Sequence, residues 1–201
     1  MFALADAAEL RALVHAHGWV TLASDSDNTS PVVSHLPVIL DRDTDEVVVL
    51  GHLPCVDADL HALGERDVVI VVQGPHGYIS PSFYQAGPYV STWNFVVAHL
   101  HGRPVILSPE ETYQVLSDTV DHFEAVRAVP WRLDSVAEYA AELAPHVVGF
   151  RLRPTRVVGK VKLSQDKPPE VYERVLVSLE EDEHYAAPEL VRAMRHHVGP
   201  R

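Results

Sequence analysis

Asp67-Val68-Val69-Ile70-Val71-Val72-Gln73 is the stretch whose reading decides the fold. Its β-branched residues are stiff at χ1 and suit a pleated strand better than a helical turn. An apolar run with no alternation belongs to a central strand covered on both faces. Gly74-Pro75-His76-Gly77 then breaks the strand, and Tyr78-Ile79-Ser80-Pro81-Ser82 resumes it. A chain with such a centre should have further strands on either side.

Upstream they are present. Ala8, Leu10, Leu13 and Val14 fall at helical spacing, so Asp6–His17 reads as a short amphipathic helix stopped by Gly18. Trp19–Ser24 is a strand by composition, followed by a turn at Asp25–Asn28. Pro31–Leu40 is a second strand, in which Pro37 suggests an edge position or a bulge. Asp41–Asp45 closes a hairpin onto Glu46–His52, and Val56–Gly64 reads as a short helix.

Downstream, Thr92–Gly102 is again strand-like. Ser108-Pro109-Glu110-Glu111 is a helix start, with Ser108 as cap, Pro109 in the first turn and Glu111 three residues on. That helix runs to about Ala125, and another covers Leu133–Leu143. Val147–Leu152 and Val157–Val161 return to the sheet, while Val171–Glu180 and Pro188–His197 are helical. The expectation is a mainly β domain with peripheral helices (α+β), one domain over residues 1–201. It carries a helical insertion at about 108–145 and a helical C-terminal tail from about 170.

The 201 residues, 47% hydrophobic and 22% charged, are enough to bury a core, so disorder is not expected. A formal net charge of -12 repels a phosphate backbone at long range, and no useful Lys/Arg cluster offsets it, so direct DNA binding is not supported by charge. The single cysteine, Cys55, excludes an internal disulfide and a cysteine-based metal site. With no signal peptide at the N-terminus and no run of spanning length, a cytoplasmic location and no membrane role are expected.

Three segments place polar and aromatic residues beside apolar strands. In Gln73–Tyr84, the hydroxyls of Ser80 and Ser82 could receive a phosphate, and Tyr78, Phe83 and Tyr84 could wall a flat ring. The same stretch also suits a proline-stiffened bend with core aromatics. Trp93 beside Asn94 pairs a stacking surface with an amide that could read the edge of an isoalloxazine or a nucleobase. Alternatively, Trp93 anchors a core or dimer interface and Asn94 serves a neighbouring strand. Lys160 and Lys162 share one side of an extended strand and, with Lys167, Ser164 and Gln165, could face one anion. They could equally be a solvated turn in which lysines discourage strand mispairing.

The 13 histidines form no set at metal-ligand spacing beyond His99 and His101, which alternate onto one face. His35 and His52, flanked by apolar residues, read as buried neutral histidines. No glycine-rich nucleotide loop and no serine elbow are present, so hydrolase chemistry has no support.

Taken together, Gln73–Tyr84, Ser91-Thr92-Trp93-Asn94-Phe95, Val148-Gly149-Phe150 and Gly159–Gln165 resemble the signature stretches of the PaiB family. The resemblance extends to Pro31, Ser34-His35-Leu36-Pro37 and Gly51-His52-Leu53, and covers residues 4 to 197. It implies an FMN-binding negative transcriptional regulator, acting directly or indirectly. The implied fold is a six-stranded Greek-key split β-barrel of the flavin-reductase and pyridoxamine-phosphate-oxidase kind. It would be homodimeric, with FMN at the interface. The cofactor-binding residues it suggests are His52, Tyr78, Ser80, Ser82, Trp93, Asn94, Lys160, Lys162, Ser164 and Gln165. No catalytic residue and no metal site are implied. The chain departs from the family pattern in two stretches: Cys55 stands where an arginine is usual and Asp57 where an asparagine is usual, and the usual Ser-Gln-Asn becomes Ser164-Gln165-Asp166, followed by Lys167. Losing that arginine would remove a charge-assisted donor to the phosphate. Other functions open to the same barrel are an FMN-dependent oxidoreductase, a haem-binding protein using His99, and a barrel without cofactor.

Overall fold

A computed structural model describes residues 2–3, 6–26 and 30–197. In chain order its elements are β1 (Phe2–Ala3), α1 (Ala7–Ala16), β2 (Trp19–Ser24), β3 (Val32–Leu40), β4 (Val49–Pro54) and α2 (Cys55–Leu60). There follow β5 (Val68–Ile79), α3 (Pro81–Tyr84), β6 (Thr92–Gly102), β7 (Val105–Ile106), α4 (Pro109–Glu124) and α5 (Ala137–Leu143). The chain continues with β8 (Val147–Leu152), β9 (Arg156–Lys162), α6 (Pro169–Glu181) and α7 (Pro188–His197). The nine strands among the described residues exceed the six of the implied barrel, and β1 and β7 are only two residues long. Neither short strand was expected. Asp27 and Asn28 of the first predicted turn lie outside the described residues.

The chain divides into two compact units, one comprising Ala5–Val72 and His99–Val158, the other Met1–Leu4, Gln73–Ala98 and Gly159–Arg201. β5, β6 and β9 each contribute residues to both units.

In the first unit the strand order is β5-β2-β3-β4-β8-β7. β2 pairs antiparallel with both β3 and β5, and β4 with both β3 and β8. Pro37 is therefore in an interior strand, not at an edge. It sits opposite Trp19 where pairing with β2 ends, and the ladder with β4 begins one residue later at Val38↔Gly51. A missing N–H disrupts little where the strand changes partners. The Val38 N–H bonds instead to the Gly18 carbonyl at 2.7 Å.

Helix α4 packs on β3, β4 and β8, and Val115 joins Ile39 and Leu50 in a buried cluster. Its capping box is complete: Ser108 Oγ accepts from Glu111 N–H, and Glu111 accepts from Ser108 N–H at 2.9 Å. The backbone bond holds the Glu111 carboxyl below the usual carboxylate range. α2 starts at Cys55 and ends at Leu60, earlier than Gly64, because Ala62 and Gly64 adopt positive φ. The predicted helix Leu133–Leu143 begins as a 3-10 turn over Leu133–Val136. There Ser135 bonds the Arg132 carbonyl through both N–H and hydroxyl, competing with regular α geometry.

In the second unit the order is β1-β9-β6-β5. β5 runs through Gly74-Pro75-His76-Gly77 without the expected break. Gly74 and Gly77 are both buried with Pro75 and His76 between them, so the alternation slips by one residue, as at a bulge. The strand ends at Ile79, and Ser80–Ser82 belongs to a helical turn, not to a resumed strand. α6 presents Val171, Tyr172, Val175, Leu176 and Leu179 at i, i+4 spacing and packs on α3 and α7. Burying each aliphatic side chain stabilises the fold by about 1.5–3 kcal/mol.

Candidate functional site

Nine of the ten residues suggested by the sequence lie in the second unit, which places the stretch Gln73–Tyr84 beside the start of β6. The one-residue slip at Pro75–His76 decides what that surface carries. Beyond it, His76 is exposed and Tyr78 half-buried, and Trp93 on β6 is 54% exposed. The rings form a connected group. His76 and Trp93 are near-parallel with centroids 6.3 Å apart, and Tyr78 meets Trp93 at 6.1 Å and 67°. Tyr78 also meets Tyr185, from the α6–α7 turn, at 5.0 Å. Together with Gly77, Ala186 and Ala187 these rings line a cavity of about 370 Å³. Gly77 itself faces inward, where an added Cβ would lie 3.0 Å from the buried Leu190 Cδ2, so the strand packs closely on α7 there.

Ser80 acts as the N-cap of α3: its Oγ accepts from Ser82 N–H at 3.3 Å and lies 2.7 Å from Ser82 Oγ. Both hydroxyls are thus already part of the helical turn, with Ser82 on the exposed side. Asn94 is fully buried: its Nδ2 donates to Ser164 Oγ at 3.0 Å and approaches Met194 Sδ at 3.7 Å. Ser164 Oγ is also placed to donate to Asn94 Oδ1 at 3.2 Å. These two residues reciprocate beneath β6 and present no group outward. Gln165 is likewise turned onto the backbone, accepting from Leu163 N–H at 2.6 Å and donating to the Val161 carbonyl at 3.4 Å.

The lysines separate. Lys162 donates to Thr92 Oγ1, and Lys167 pairs with Asp166 and lies 5.4 Å over the Tyr89 ring. Hydrogen bonding within the Lys167–Asp166 pair raises the ammonium pKa and lowers that of the carboxyl. Lys160 is half-exposed and forms no ion pair with the described residues.

The tenth candidate, His52, lies on β4 in the other unit, opposite Gly149. Its Nδ1 is buried without a partner among the described residues, and burial lowers its pKa below the usual histidine value. Cys55 opens α2 in the same unit, its thiol 3.6 Å from the Pro145 carbonyl, with Asp57 in the first turn. His35 is exposed, contrary to the buried setting its apolar neighbours suggested, because it falls on the outward side of β3 before the core begins at Leu36. The fully buried histidine is His61, 2.7 Å from Ser24 Oγ and 3.0 Å from Ser34 Oγ. His99 and His101 share a face as expected. No group of three potential metal-binding side chains occurs among the described residues.

The lining of His76, Tyr78, Trp93 and Tyr185 offers aromatic walls suited to a planar ring, and it holds no Lys or Arg for a phosphate.

Sequence reasoning missed Tyr185. It lies 92 residues from Trp93 in the chain, and Asp182-Glu183-His184-Tyr185 has no pattern that distinguishes it from any polar turn.

These strands with their flanking helices make a mixed α/β fold. The fold is similar to the FAD and heme binding protein of Mycobacterium smegmatis (TM-score 0.58, 16% identity, covering 80% of this chain and 73% of that one). It is also similar to the flavocytochrome Anf3 of Azotobacter vinelandii (TM-score 0.60, 18% identity, 85% and 74%). Residues 1–156 match the family described as "Putative FMN-binding domain", and the chain belongs to this family, the PaiB group of FMN-binding split barrels. Among relatives, "Protease synthase and sporulation protein PAI 2" of Bacillus subtilis is 26% identical over 195 residues, spanning 96% of this chain and 93% of that protein. An uncharacterized protein of Aspergillus fumigatus is 28% identical over 182 residues, spanning 66% and 70%.

Proposed function

We propose that this chain is an FMN-binding, homodimeric regulator of the PaiB type. The observation that carries the reading is the aromatic cavity of His76, Tyr78, Trp93 and Tyr185, built on the strands that hold the family's signature stretches. In this reading FMN supplies a redox-active ring, and the protein's part is to seat and orient it. Trp93 and Tyr78 contact the ring, and His76 is held by its own Nδ1–H donating to the Gly74 carbonyl at 3.0 Å. Asn94 and Ser164 act as positioning residues that fix β6 beneath Trp93. Lys160, half-exposed on β9, meets the phosphate in this reading, since Lys162 is bonded to Thr92 and the Ser80 and Ser82 hydroxyls to each other.

The six-stranded barrel core and the dimer belong to the same proposal. A tryptophan 54% exposed on a sheet is a typical interface anchor, so the flavin lies where two copies meet. The name of the Bacillus subtilis relative links that protein to protease synthesis and sporulation, and we carry a regulatory role over to this chain. With a net charge of -12, regulation proceeds through a partner or a small molecule and not through direct contact with duplex DNA.

Titrating the apo-protein with FMN while following flavin fluorescence tests the reading. Saturable quenching at one flavin per subunit supports it, and quenching that never saturates rejects it. Sequence-specific retardation of duplex DNA at physiological salt would overturn the indirect route.

A further inference from the structure

We infer that Tyr185 is a ring-contacting wall of the flavin site, supplied by the C-terminal helical segment; the inference rests on the flavin reading above. Residue 185 lies beyond residues 1–156 matched by the family, so nothing in that match assigns it a role.

Three observations carry it. Tyr185 stands 5.0 Å from Tyr78 at 49°, and both line the cavity with Trp93, so its ring forms a wall and not a distant neighbour. The backbone that presents it is pinned. Asp182 Oδ1 accepts from both His184 N–H and Tyr185 N–H at 2.9 Å, and Ala187 N–H closes the turn on the Leu179 carbonyl at 2.8 Å. The ring itself remains 48% exposed. A large amphipathic side chain held by a stapled backbone but left half open is pre-organised for a ligand, because little ordering entropy is lost when a second ring packs on it. Core packing gives no comparable reason for its position, since the buried side chains of α6 and α7, from Val171 to Leu179 and at Leu190, Val191 and Met194, lie outside the turn that carries it.

The recognised group is the planar, largely apolar ring system, not the phosphate, since the cavity lining holds no Lys or Arg. Tyr185 should therefore contribute equally to FMN and to riboflavin, which has the same ring and no phosphate.

The experiment is a pair of fluorescence titrations, with FMN and with riboflavin, on the wild-type chain and on Tyr185→Ala, Tyr185→Phe and Trp93→Ala. Far-UV circular dichroism checks the fold of each variant. Tyr185→Ala is expected to weaken both ligands by the same factor, about 3- to 10-fold, and Tyr185→Phe to bind within about 2-fold of wild type. Wild-type affinity of Tyr185→Ala for both flavins, with binding lost in Trp93→Ala, would overturn the role of Tyr185 and leave the flavin site standing. Weakening confined to FMN would overturn the ring contact in favour of a phosphate effect. A wild-type chain that binds neither flavin would reject the flavin reading and Tyr185 with it. Should Tyr185→Ala misfold, Tyr185→Leu repeats the comparison with the bulk retained and the aromatic face removed.

Discussion

Ser164 holds a φ of 62°, a left-handed conformation that a side-chain-bearing residue keeps only when its surroundings enforce it. Here the enforcement comes from Asn94, which bonds the Ser164 hydroxyl from a site 70 residues earlier in the chain, and both residues are buried. Replacing Asn94 with Ala leaves that hydroxyl without its partner, and the expected loss is about 1–3 kcal/mol, read from urea unfolding. Tyr172 gives a second residue-scale prediction. Its hydroxyl donates to the Met194 carbonyl at 2.8 Å, and burial pushes its pKa from 10.0 up to about 12. Because the folded pKa is raised, the contribution is fully present below pH 10 and is lost as pH rises through about 12. Tyr172→Phe should remove that alkaline component from the stability profile between the two values. The sequence singled out Asn94 and Ser164 as residues of interest, but it could not show that they satisfy each other. That depends on two strands far apart in the chain becoming neighbours.

Helix α4 and strand β8 approach unusually closely at Gly149. Its N–H donates to Thr112 Oγ1 at 3.2 Å, and a Cβ there would lie 2.7 Å from that oxygen and 3.0 Å from Thr112 Cα. Gly149→Ala must therefore push the helix off the strand, at a cost of about 1–3 kcal/mol, visible as a lowered thermal midpoint. The capping box gives a milder case: Ser108→Ala should cost about 1 kcal/mol by the same measurement. The start of α4 was legible because Ser108, Pro109 and Glu111 are a local signal that depends on nothing distant. The course of β5 was not. Gly74-Pro75-His76-Gly77 contains the residues that usually end a strand, yet β5 continues to Ile79, because inward-facing glycines on both sides absorb a one-residue slip.

For the whole molecule, the exposed apolar side chains are the informative feature. Trp93 is one of several large hydrophobic residues open to solvent in a single copy, with Trp19, Val33 and Val90 among the others. If the protein is the dimer proposed above, sedimentation equilibrium should give twice the subunit mass of 22.3 kDa. Trp93→Ala should then shift the population toward monomer together with the loss of flavin quenching. A wild-type monomer would reject the interface role of Trp93. Among the described residues no helix is long and apolar enough to cross a membrane.

By itself the sequence determined the strand-rich core, the helix between Ser108 and Glu124, the helical C-terminal segment and the family, because β-branched runs, caps and helical periodicity are local properties of the chain. Only the tertiary structure decided which candidates line a cavity and which are structural. Trp93 and Asn94 are adjacent in sequence, yet one faces outward and the other is fully buried, since successive strand residues point to opposite faces. The arrival of Tyr185 beside Tyr78 was likewise settled by packing, because α6, with its buried apolar stripe, carries the turn that follows it.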